Sequence, residues 1–216
     1  MAAELPTAEV VDRAEKYPVL TSTPRFSGHV IELRTDLVRM PDGATAERDV
    51  VVHPGAVGAI VLDDQDRVLL VQQYRHPPGR MLWEPPAGLL DDDAGGQTPY
   101  ENAARELYEE AGFRATEWLV LVDLFTSPGM SDEAVRLYLA RGVSEVPAAQ
   151  RHVGQHEEAD MAWSWVPLDE AVDKVLAGEL HNPLAVSGIL AAAAARARGF
   201  DGLRPADALW PERPGP

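Results

Sequence analysis

The sequence predicts a single domain of mixed α/β or α+β class. Short apolar, β-branched-rich runs recur between residues 28 and 166, one strongly capped helix interrupts them near residue 98, and beyond residue 167 the apolar spacing turns helical. The length, 216 residues, suits one domain with a sizeable core.

Residues 1–24 mix acids with scattered apolar residues and read as a partly ordered lead-in. Segments 28–40 and 44–53 alternate about Pro41-Asp42-Gly43 and read as a β-hairpin. The runs 56–62 and 68–74 are strands on either side of a polar turn, 63–67. The helix comes next: Thr98 is its N-cap, Pro99 fits the first helical position, Glu101 completes a capping box and Gly112 is the left-handed terminator. Strands follow at 119–125, 134–140 and 161–166. Leu168, Ala171, Val172, Val175 and Leu176 then fall at helical spacing, and Asn182-Pro183 starts a last helix running to about residue 198. Residues 201–216 hold four prolines and are expected to trail over the surface.

Composition narrows the function. A net charge of −16, from 35 acids and 19 bases, repels a nucleic-acid polyanion, and no basic recognition helix is visible. A small anionic substrate would therefore need a metal ion and local arginines. Cysteine is absent, which excludes disulfides and thiolate metal sites and fits a reducing compartment. No signal-peptide pattern opens the chain, and the most apolar stretch, 185–195, is too short to span a bilayer. The expectation is a cytoplasmic protein without membrane or nucleic-acid partners.

Within the capped helix, Glu106, Glu109 and Glu110 lie at i, i+3 and i+4 and share one face. Either this is a solvated acidic face with Arg105 and Glu101 as partners, or the carboxylates are ligands for a hard divalent cation such as Mg²⁺, which takes oxygen donors and is commonly completed by substrate phosphates. Spacing leaves both readings open.

A glycine, a loop and then Arg105-Glu106-Leu107-Tyr108-Glu109-Glu110-Ala111-Gly112-Phe113 resembles the Nudix box, the signature of hydrolases that cleave nucleoside diphosphates linked to another moiety. The head departs from the pattern. Eight residues separate Gly88 from Gln97, a longer loop than the family's, and Gln97 stands where a glutamate belongs, so Asp91, Asp92 and Asp93 are candidates for the missing charge. The resemblance implies an α/β/α sandwich around a mixed β-sheet, with residues 55–200 as the Nudix domain. Residues 1–54, the lead-in and β-hairpin, would be exchanged between the subunits of a homodimer, and 201–216 would form a tail. It also implies that Glu106, Glu110 and the Ala87 carbonyl bind Mg²⁺, or alternatively Mn²⁺, with Glu109 acting directly or through water.

Three further stretches resemble the ADP-ribose pyrophosphatase branch. Arg80-Met81-Leu82-Trp83-Glu84-Pro85-Pro86-Ala87-Gly88-Leu89 looks like the segment that leads into its box, and Gln73-Tyr74-Arg75-His76 like its substrate-binding strand. Ser127-Pro128-Gly129-Met130-Ser131-Asp132-Glu133 sets a proline sixteen residues after Gly112, a feature associated with ADP-ribose hydrolysis. The resemblance implies substrate contacts from Arg75, Gly129, Met130 and Ser131, with Arg48 of a partner subunit and Glu84 at the nucleoside end. In Gln155-His156-Glu157-Glu158-Ala159-Asp160 it implies that Glu158, with Glu157 beside it, handles the attacking water together with Glu109. Taken singly, these residues have ordinary readings: a surface ion pair for Arg75, a core or interface position for Trp83, a turn at Pro128-Gly129, a charged loop at 155–160. His53, His76, His152 and His156 lack zinc-site spacing.

The implied activity is Mg²⁺-dependent hydrolysis of ADP-ribose, a small nucleoside diphosphate sugar, to AMP and ribose 5-phosphate. Another nucleotide sugar such as GDP-mannose is an alternative substrate. A non-catalytic ADP-ribose-binding regulator is the alternative from another class, suggested by Gln97 and the longer loop.

Overall fold

The structure, a computed structural model, describes residues 9–90, 97–152 and 161–213. Three strands, β1 (Val19–Ser27), β2 (Glu32–Arg39) and β3 (Thr45–Val52), form an antiparallel N-terminal sheet in that order. The central sheet draws on β4 (Ala56–Val61), β7 (Ala87–Leu89), β9 (Glu117–Phe125), β10 (Ala134–Arg141) and β13 (Arg204–Pro205), in the order β13-β9-β10-β4-β7. It is mixed, because β10 pairs with β4 in parallel and every other pair is antiparallel. A second sheet, ordered β12-β5-β6, comes from β5 (Arg67–Arg75), β6 (Arg80–Glu84) and β12 (Ala162–Pro167), while β8 (Phe113–Arg114) pairs with β11 (Ser144–Glu145). The helices are α1 (Pro99–Ala111), α2 (Leu168–Leu176) and α3 (Pro183–Arg196). Among the described residues no helix is long and apolar enough to cross a membrane.

Strand β4 lies between the helical layers and is buried at every position, which accounts for its unbroken apolar run. Strand periodicity divides its side chains. Ala59 and Val61 meet Leu107 and Ala111 of α1, whereas Ala56 and Ile60 meet Leu168, Ala185 and Ile189 of α2 and α3. Each fully buried leucine or isoleucine of this sandwich contributes about 1.5–3 kcal/mol. Gly188 lets α3 approach, since a Cβ there would stand 2.3 Å from Ile60 Cδ1.

Helix α1 begins and ends as the sequence predicts. The Glu101 N–H donates to Thr98 Oγ1, Glu101 accepts from the Thr98 N–H at 2.8 Å, and Gly112 adopts φ 69°. Those bonds from the Thr98 backbone and hydroxyl hold the Glu101 carboxyl below its ordinary pKa.

Two expectations are corrected. The lead-in holds β1, whose nine residues turn the predicted hairpin into a three-stranded sheet. Every residue of β1 is exposed and Pro24 sits at a register shift, as an edge strand permits, so alternation gave no signal. The tail does not trail. Strand β13 pairs with β9, and Ala206, Ala208 and Trp210 pack against Val57, Val120 and Tyr138. The cause is Arg136, 1% exposed within apolar β10, which donates to both Asp123 oxygens and to the Ala208 and Leu209 carbonyls.

Candidate active site

Asn102 is buried near the start of α1, and its side-chain amide donates to the Leu89 carbonyl at 3.0 Å, pinning α1 to β7. One turn on, Glu106 lies against Gly88. A Cβ at that glycine would stand 2.3 Å from the Glu106 carboxyl carbon, so only a bare backbone lets the carboxylate this close to the strand. Strand β7 is a sheet edge, and its pairing decides what it presents. The Ala59 N–H donates to Pro86 and the Leu90 N–H to Gly55, which makes Gly58 and Ala87 a non-hydrogen-bonded pair. The amide groups of Ala87 therefore point away from β4, and its N–H donates to Glu110 Oε2 at 3.0 Å.

Arg105 stands among the carboxylates, with one nitrogen 2.7 Å from Glu106 Oε1 and another 2.7 Å from Glu109 Oε2. Arg105 thus offsets part of the cluster's charge, and Glu106, only 8% exposed, is no part of a solvated face. Among the described residues no three acidic or histidine side chains close on a single point. The donor set nonetheless suits a hard divalent cation: three carboxylates on one helix face, a strand-edge backbone beside them and a glycine cradle under Glu106. For Glu106 and Glu109 to turn to such an ion, Arg105 must release the oxygens it now holds.

These groups form one wall of a cleft of about 1260 Å³. The same cleft is lined by Gln73 and Arg75 at the end of β5, Pro77-Pro78, the Thr126–Ser127 segment with Glu133, and His53-Pro54 after β3. The N-terminal end of α3 closes the cleft with Asn182, whose side chain accepts from the Leu184 and Ala185 N–H groups.

The other sequence-predicted residues fall as follows. Arg75 lines the cleft, and Glu84, 2% exposed, receives its guanidinium two-pronged at 2.9 and 2.6 Å. With its carboxylate buried on Arg75, Glu84 can influence a ligand through that guanidinium. Gly129, Met130 and Ser131 belong to a turn in which the Met130 and Ser131 N–H groups both donate to the Ser127 carbonyl. They stand beside the cleft wall, outside its lining. Arg48 is exposed on β3, donates to the Glu47 carbonyl and does not line the cleft of its own chain. Glu157, Glu158, Asp91, Asp92 and Asp93 lie outside the described residues.

Sequence reasoning missed His53 and gave Glu133 no role. Both line the cleft, His53 Nδ1 stands 3.6 Å from Glu133 Oε1, and the other Glu133 oxygen takes the Thr126 hydroxyl. The Gly55 N–H donates to His53 Nδ1 at 3.0 Å. The shorter contact decides the ring's state, because a nitrogen that accepts there cannot also donate to Glu133, and 3.6 Å is beyond hydrogen-bond range. With Nδ1 accepting, the tautomer that fits this geometry has its N–H at Nε2. Nothing local in the sequence signals this grouping, since the bond from the His53 N–H to the Asp132 carboxylate spans 79 positions.

The profile of the NUDIX domain family matches residues 52–185. A protein of Mycobacterium tuberculosis named ADP-ribose pyrophosphatase is 48% identical over 92% of this chain and 93% of its own. The methanol dehydrogenase activator of Bacillus methanolicus is 35% identical over 76% of this chain and 85% of its own. Among solved structures, one described as an ADP compounds hydrolase superposes with a TM-score of 0.72 at 19% identity, covering 88% of this chain and 99% of that one, which shows a shared fold.

Proposed function

This chain belongs to the Nudix family, and from that premise we propose that it hydrolyses ADP-ribose to AMP and ribose 5-phosphate with a divalent cation, Mg²⁺ in the first place. One observation carries the reading: the carboxylates Glu106, Glu109 and Glu110 share a single cleft with Arg75 and the Thr126–Glu133 wall. The name of the 48% identical mycobacterial relative supports the choice of substrate. Glu106, Glu110 and the Ala87 carbonyl would hold the cation, with Glu109 beside them. Bound there, it would neutralise diphosphate charge and lower the pKa of a coordinated water.

The protein's own groups do the rest. Arg75, held by buried Glu84, meets the anionic diphosphate with a guanidinium that loses little freedom on binding. Glu158, or Glu157 next to it, takes the proton from the attacking water. The water oxygen forms a bond to one phosphorus, the bond from that phosphorus to the bridging oxygen breaks, and the bridging oxygen leaves on the other phosphate. The turn Gly129-Met130-Ser131 borders the sugar end. We further propose a homodimer in which the N-terminal sheet crosses to a second copy, bringing Arg48 to the partner's cleft. Val19, Leu20 and Phe26, apolar and exposed on β1, support that exchange. The absence of cysteine fits a cytoplasmic setting.

The test is a substrate panel of ADP-ribose, GDP-mannose and NADH, each with Mg²⁺, Mn²⁺ or chelator, with products identified by chromatography. The expected result is metal-dependent release of AMP, fastest from ADP-ribose. Preferred turnover of GDP-mannose would move the assignment within the family. ADP-ribose binding without any turnover would make the protein a regulator, a role closer to the name of the Bacillus methanolicus relative, methanol dehydrogenase activator.

A further inference from the structure

The chain passes from the N-terminal sheet into the central sheet through His53-Pro54-Gly55, and this joint lies on the cleft wall. The joint is tied on both sides. Toward the central sheet, the Gly55 N–H donates to His53 Nδ1 at 3.0 Å, closing a turn in which Gly55 sits at φ 87°, a conformation suited to glycine. Toward the opposite loop, the His53 N–H donates to Asp132 Oδ1 at 2.9 Å, the Val51 N–H to the Met130 carbonyl at 2.8 Å and the Asp132 N–H to the Val51 carbonyl at 3.2 Å. The end of β3 and the loop before β10 are thus hydrogen-bonded to each other, and the imidazole accepts from the residue that precedes β4. Beside that ring, Glu133 is held by the Thr126 hydroxyl, while its backbone N–H donates to Ser131 Oγ at 3.1 Å.

We propose that His53 is a positioning residue for substrate: through Nδ1 it fixes the Thr126–Glu133 wall against the wall that carries Glu106 and Glu110. The property that matters is an acceptor at the δ position. Because Gly55 occupies Nδ1, that nitrogen offers Glu133 no proton, and the carboxylate keeps the orientation that Thr126 gives it. Among the described residues His53 contacts Gly55, Asp132 and Glu133, and neither Ala87 nor the box carboxylates, so its loss acts on substrate placement and leaves the chemical step in place. The inference rests on the ADP-ribose reading for its kinetic readout.

An asparagine side chain can offer an oxygen acceptor at the δ position, and a leucine cannot. In steady-state kinetics with ADP-ribose and Mg²⁺, His53→Leu is expected to raise KM about fivefold, the effect of one lost hydrogen bond, with kcat within about twofold of wild type. His53→Asn is expected to recover most of that loss. A wild-type KM for His53→Leu, or a His53→Asn protein as impaired as His53→Leu, overturns the proposal. Nitrogen-15 spectra of the wild-type histidines supply a measure that does not depend on turnover or on the variants folding. They are expected to show His53 with Nδ1 unprotonated and Nε2 protonated, and a protonated Nδ1 in the neutral ring overturns the proposal. Should the wild-type protein fail to turn over ADP-ribose, the substrate reading falls and the nitrogen spectrum alone decides the role of His53.

Discussion

Asp36 shows how much one side chain's surroundings matter outside the cleft. It is buried on β2 and accepts from the Ser22 hydroxyl at 2.6 Å and from Arg34 at 3.1 Å. The Ser22 bond first, and then Arg34, hold its carboxyl below the ordinary value against burial, which pushes it up. A pKa lower in the folded state stabilises the protein above the unfolded carboxyl value of about 3.9, and this contribution is lost as pH falls through the folded value. Denaturant titrations between about pH 6 and pH 3 should therefore show a steeper acid loss for wild type than for Asp36→Asn. Parallel curves would remove Asp36 from that account. At the cleft, individual residues explain what spacing could not. Glu106, Glu109 and Glu110 were visible at i, i+3 and i+4, but the pairing of Glu106 and Glu109 with Arg105 and the bare backbone of Gly88 that admits Glu106 are contacts in three dimensions. Resemblance assigns Glu84 to the nucleoside end, and its burial on Arg75 could not be read from the sequence.

Among the elements, those that carry their own boundary chemistry were the readable ones. The Thr98 capping box, Pro99 and Gly112 delimit α1, and Asn182-Pro183 opens α3. Elements that owe their existence to a neighbour were not. Strand β1 has no buried face of its own, β7 is three residues long, and β13 forms because its segment covers Arg136. An arginine in the middle of the apolar run Ala134–Ala140 was the available clue, since a buried cation must find acceptors. Trp210 also stacks over its guanidinium at 4.8 Å. Truncation after residue 203 removes the Ala208 and Leu209 acceptors and should cost about 1–3 kcal/mol for each partner lost. Chemical denaturation measures that cost, and a truncated protein as stable as the full chain would show the tail to be dispensable.

For the molecule as a whole, the α/β/α arrangement followed from resemblance, and the structure supplies its physical basis in β4, which divides its side chains between α1 and the α2–α3 layer. The cleft itself could not be read from order along the chain, because its walls come from seven separate stretches between His29 and Leu184. The N-terminal sheet leaves Val19, Leu20 and Phe26 exposed. If those residues meet a second copy, sedimentation equilibrium should give twice the 23.5 kDa chain mass, and charged substitutions at Leu20 and Phe26 should lower both mass and activity. A fully active monomer would remove the exchange and the role of Arg48.

The central claim is that the Glu106 and Glu110 face performs metal-assisted hydrolysis. Its most direct test is AMP release from ADP-ribose by wild type, Glu106→Gln and Glu110→Gln, each with Mg²⁺ and with chelator. The expected result is turnover that chelator abolishes and that each substitution lowers by about 10³-fold, with the fold preserved. Near-normal turnover by either variant, or turnover indifferent to chelator, would contradict it.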